Sequence, residues 1–116
     1  MHGNDLLLIA DTYYFKKNYS NAKRFYYILL TSVKEFIVQL EIWLRYGKCC
    51  AFLNEIEDAT NAYRNAVNLD PSNTEAALSL VNMLKKNSLL FDEASNVINK
   101  SKLFFYNRPN QIKNFF

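Results

Sequence analysis

Glycine and proline are scarce, at two of each in 116 residues. All-β domains turn often and spend more of both, so the composition argues against that class. Histidine occurs once, as His2, beside the terminus where no packed shell positions it. The sequence holds no Gly-rich phosphate loop, no Ser/His/Asp set and no metal-ligand constellation. The expectation is therefore a non-catalytic protein without cofactor or metal. The two cysteines are neighbours, Cys49 and Cys50. Adjacent helical side chains diverge by about 100° and form no ordinary disulfide. With no C-x-x-C and no His/Cys cluster, a zinc site is not expected, and reduced thiols fit an intracellular protein. The apolar run Leu6–Ala10 is bracketed by Asp5 and Asp11. It is too short for a signal-peptide core or a membrane span. A net charge of +3, with basic residues scattered among acids, gives no basic stripe. That argues against direct nucleic-acid binding.

What remains is apolar and aromatic. Half of the residues are hydrophobic, and eight Tyr and nine Phe demand packing partners. Helical spacing runs through the chain. Leu6, Ile9, Ala10, Tyr13 and Tyr14 form one stripe, and Asn18-Tyr19-Ser20 offers a turn. Ala22, Phe25, Tyr26 and Leu29 form a second stripe, to about Ser32. A third helix is expected over 38–52, with Ile42, Trp43, Tyr46, Gly47 and Cys50 on one face. Asn54 is a candidate cap for the next helix, which carries Ala59, Ala62, Tyr63, Ala66 and Val67 and stops before Asp70-Pro71. Ser72 to Glu75 has the form of a capping box before a fifth helix with Leu80, Val81 and Leu84. A sixth is expected from Asp92-Glu93, with Ala94, Val97 and Ile98.

The helices pair, and the pairs repeat. Ala22, Ala59 and Ala94 align, and Tyr26, Tyr63 and Ile98 follow each at the same distance. A two-helix period near 34 residues reads as an α-solenoid. The middle unit, Trp43, Tyr46, Gly47, Cys50, Ala59, Tyr63, Ala66 and Pro71, resembles the tetratricopeptide repeat. Gly47 and Ala59 are small where two helices cross, and Trp43, Tyr46 and Tyr63 fill wider gaps. The expected fold is all-α, a right-handed superhelix of about three such repeats. The expected domain spans 1–106, with units near 3–36, 40–73 and 74–106, and 107–116 is a disordered or truncated tail. The apolar residues near both ends call for a longer array, a covering partner or self-association.

Such a superhelix lines its concave face with the first helix of each pair. The expected partner-binding residues are Leu7, Asp11, Tyr14, Leu44, Arg45, Lys48, Phe52, Asn82 and Lys85, with Leu78 and Lys86 beside them. A clamp for a C-terminal carboxylate, one known use of this repeat, is rejected. The carboxylate would meet Asp11 and Glu75 where cations are needed.

A closer resemblance lies in LLLIADTYYFKKNYSNAKRFYYILL, then an insertion, then EIWLRYGKCC and its continuation. Together these are similar to the repeat-bearing TFIIIC subunits of RNA polymerase III initiation. That resemblance implies a nuclear scaffold that contacts TFIIIC and TFIIIB subunits and carries no catalysis. The alternative is a generic cytoplasmic adaptor that holds a peptide or helix in its groove.

Overall fold

A computed structural model of the chain describes residues 3–86 together with 97 and 98. Among the described residues there are six α-helices and no strand. They are α1 (Gly3–Phe15), α2 (Tyr19–Ser32), α3 (Lys34–Ile37), α4 (Leu40–Phe52), α5 (Ile56–Leu69) and α6 (Thr74–Lys85). The pairs α1·α2 and α4·α5 pack internally, α2 packs on α4, and α5 packs on α6. Each second helix is thus sandwiched between its own partner and the next first helix. This is the all-α helical-repeat architecture expected from the period.

One turn geometry closes both α1 and α4. Lys17 (φ 63°) and Asn54 (φ 61°) sit in the left-handed region. After α1, the Asn18 N–H donates to the Tyr13 carbonyl at 2.9 Å. After α4, the Glu55 N–H donates to the Cys50 carbonyl at 2.8 Å. These bonds satisfy carbonyls left unpaired by the helix end. Asn54 therefore ends α4 and does not cap α5, correcting the expectation from sequence. Asn tolerates a positive φ, which explains its presence there as well as a cap would.

The expected capping box at Ser72 is also corrected. Asn73 caps α6, accepting from the Ala76 N–H at 2.9 Å. Ser72 turns back instead, its hydroxyl donating to Asp70 Oδ1 at 2.6 Å. With Pro71 between them, that local turn satisfies the exit from α5.

The stretch between the first two pairs is not a plain linker. Residues 34–37 form the single turn α3, so α4 begins at Leu40 and not at Val38. Phe36 from this turn is buried, and its ring lies over Gly3, where an added Cβ would come within 2.6 Å of it. The Trp43 indole N–H donates to the Ile37 carbonyl at 2.7 Å. Trp43 thus ties the insertion to the second pair, a role that spacing alone did not suggest.

The core runs continuously through the repeats. Ala10, Ala22, Tyr26, Leu29, Cys49, Cys50, Ala59 and Ala66 are fully enclosed. Gly47 meets the Tyr63 ring so closely that a Cβ there would lie 2.6 Å from Cε1. The small residue at 47 is thus required by Tyr63, and it sets the approach of α4 to α5. Val97 and Ile98 are helical and buried in the same core. The rest of the expected sixth helix, Ala94 included, and the 107–116 tail lie outside the described residues.

Candidate functional site

The three first helices α1, α4 and α6 are tied to one another by side-chain ion pairs. Arg45 Nη1 on α4 donates to Asp11 Oδ1 on α1 at 2.8 Å. Lys48 on α4 reaches Glu75 on α6 at 2.5 Å. These links define one face made of α1, α4 and α6. Of the expected partner-binding residues, Asp11, Arg45 and Lys48 come together here, and Asn82 and Lys85 are exposed on α6.

Leu44 is a correction. It is 1% exposed and belongs to the core. A middle first helix has neighbours on both flanks: α4 packs on α2 and α5 and is bridged to α6. Little of its circumference stays free. Leu7 and Tyr14 are half-buried and pack against the core.

The site is organised from beneath by Tyr26. This ring is fully buried on α2, and its hydroxyl donates to Asp11 Oδ1 at 2.5 Å. Asp11 therefore accepts from both Tyr26 and Arg45 through one oxygen. Arg45 also donates through Nε to Glu41 at 3.2 Å. Burial opposes the Arg45 charge, but the bonds and attraction of Asp11 and Tyr26 outweigh it, and its pKa moves up. The Lys48 pKa rises through its hydrogen bond to Glu75, against burial. Both cations on α4 are thus satisfied internally. A carboxylate arriving from a partner would have to displace Asp11 or Glu75, consistent with rejecting the terminal-carboxylate clamp.

Around Arg45 lies an aromatic cluster that the sequence reading found only in part. The guanidinium sits 5.6 Å from the Tyr14 ring centre and 5.0 Å from that of Phe15. Tyr14 meets Phe15 and Tyr19 edge-on at 5.4 and 6.1 Å. Tyr19 stacks on Phe52 at 4.3 Å with the rings nearly parallel. Tyr14 and Phe52 were expected at the face; Phe15 and Tyr19 were missed. Phe15 repeats as Phe52 one unit later, the same 37 residues that separate Ala22 from Ala59. That recurrence was the available signal. Phe15 and Phe52 stay 68% and 67% exposed, although each touches another ring.

On α2, Lys23 bonds Glu55 and lies 3.7 Å from Asp58. This pair ties the second helix of one unit to the start of the second helix of the next. The Glu55 bond raises the Lys23 pKa. The two thiols are free and buried, and burial pushes Cys49 up to about 12 and Cys50 up to about 11. Burial keeps both thiols protonated at physiological pH. Among the described residues there is no group of His, Cys, Asp or Glu that could hold a metal ion. No helix among them is long and apolar enough to cross a membrane.

The pairwise packing, the Gly47–Tyr63 contact and the Pro71 exit all fall within one 34-residue unit. Residues 40–73 match the tetratricopeptide repeat family model. This unit is similar to a tetratricopeptide repeat, and the structure stacks it on a helix pair before it and a helix after it. No curated protein matches the chain.

Proposed function

We propose that the chain is a non-catalytic interaction scaffold that holds a protein partner on the face of α1, α4 and α6. One observation carries this reading. Phe15 and Phe52 are large and exposed, and each is preorganised, Phe15 by Tyr14 and Arg45 and Phe52 by its stack on Tyr19. Rigid aromatic groups give contact area at low entropic cost, which is what interface anchors need. Tetratricopeptide repeats are suited to the same task, since stacked pairs present one long continuous face.

The finer reading places the scaffold in a nuclear TFIIIC-like assembly that recruits TFIIIB. It is supported by the resemblance of the 6–30 segment and of the WLRYGKCC unit to the repeat-bearing TFIIIC subunits. The test is direct binding of purified TFIIIB and TFIIIC components to the folded chain and to a Phe52→Ala variant. Binding to the wild type, weakened about tenfold in the variant, supports both levels of the reading. Absence of binding to either protein removes the polymerase III assignment and leaves the general scaffold.

A further inference from the structure

The charges on the α1·α4·α6 face are sorted along the helix axes. Glu41 and Glu75 lie in the first turns of α4 and α6. Lys16 and Lys17 follow directly on Phe15 at the end of α1, and Lys85 and Lys86 close α6. All four lysines are exposed and make no ion pair among the described residues. By contrast, Arg45, Lys48 and Lys23 are all committed to carboxylates. The free positive charge of this face therefore collects at one edge.

The two exposed phenylalanines lie at the same edge. Phe15 and Phe52 are the last residues of α1 and α4. The Tyr19–Phe52 stack brings the end of α4 to the α1–α2 turn, which contains Lys16 and Lys17. Cations at helix C-termini are favoured by the helix dipole. The dipole gives no reason for two phenylalanines to remain two-thirds exposed beside them.

We propose that this edge docks an internal acidic segment of a partner that carries a bulky apolar side chain. The apolar group would settle on Phe15 and Phe52, and flanking Asp or Glu would meet Lys16 and Lys17, with Lys85 and Lys86 extending the attraction. No terminal carboxylate is needed, because Asp11 and Glu75 already occupy Arg45 and Lys48. The inference rests on the scaffold reading and deepens it by naming the partner chemistry.

The probe is a fluorescent peptide of about a dozen residues, with a Trp and a Leu set among Asp and Glu and both ends blocked, read by anisotropy. One control replaces Trp and Leu by Ala, and a second replaces the acids by Lys. The blocked acidic peptide should bind, with both controls about tenfold weaker. Phe15→Ala/Phe52→Ala should lose binding to a similar degree while circular dichroism stays unchanged, since both rings are exposed. Lys16→Glu/Lys17→Glu should weaken binding and flatten its salt dependence. Equal binding of the Lys-containing peptide, insensitivity to these variants, or a requirement for a free C-terminus would each overturn the proposal. If the folded chain binds TFIIIB but not the acidic peptide, the proposed chemistry falls and the scaffold stands. If it binds neither, the acidic-segment proposal and the polymerase III assignment both fall.

Discussion

Gly47 offers the sharpest test of how the repeat is held together. A Cβ at this position would sit 2.6, 2.9 and 3.0 Å from three ring atoms of Tyr63. Comfortable carbon contacts lie near ~3.5–4.0 Å, so the ring or the helix must move. Tyr63 is only 4% exposed and has little room to retreat. Overpacking of this kind costs about 1–3 kcal/mol. Against it, Ala in place of Gly inside a helix gains roughly 1 kcal/mol of propensity. The expected net effect of Gly47→Ala is a loss of about 1 kcal/mol, or roughly 4 °C in Tm for a domain of this size. In a Tyr63→Leu background the obstructing ring is gone. There the same substitution should stabilise, by up to about 1 kcal/mol, from propensity alone. The assay is urea denaturation of the four proteins followed by circular dichroism, which yields a coupling energy near ~2 kcal/mol. A coupling close to zero, or stabilisation by Gly47→Ala in the wild type, would refute the close-approach argument.

Three other outcomes are expected. Phe36→Ala empties a buried site over Gly3 and should cost about 3 kcal/mol, whereas the neighbouring exposed Ile37→Ala should cost far less; equal losses in chemical denaturation would show that the insertion does not pack. Tyr26→Phe deletes the hydroxyl that donates to Asp11 and should cost about 1–2 kcal/mol, an effect that shrinks in an Asp11→Asn background; an undiminished loss there would remove the Tyr26–Asp11 bond as its cause. Alkaline pH should destabilise the fold: burial raises Cys49 and Cys50 from 9.0 to about 12 and about 11, so the unfolded chain releases these protons first. Their contribution is complete below about pH 9, falls as pH rises above that value and is lost once pH passes about 11 for Cys50 and about 12 for Cys49. Denaturation midpoints that match at pH near ~8 and ~10 would contradict this linkage.

The local helix signals were legible because they are written in adjacent residues. The apolar spacing of 6–14, the Asp70-Pro71 stop and the Ala22/Ala59 register each depend on one segment of chain, and α1, α2, α4 and α5 end within a residue or two of where they read. The failures share a cause. Asn54 and Ser72 can each serve two local geometries of similar energy; Asn54 takes the left-handed turn and Ser72 bonds back to Asp70. Leu44 was placed on the open face by its register, but both flanks of α4 are covered and it became core.

The period and composition by themselves determined an all-α repeat with closely crossing pairs, because a helix that repeats its small and large residues has one way to bury them. Only the tertiary structure decided how the face is charged. Asp11, Tyr26 and Arg45 lie 15 and 34 residues apart in the pairs that bond. No spacing rule reveals that the two cations of α4 are neutralised in place. With them occupied, the exposed rings of Phe15 and Phe52 and the lysines beside them stay open to a partner, a consequence of packing across repeats and not of any one helix.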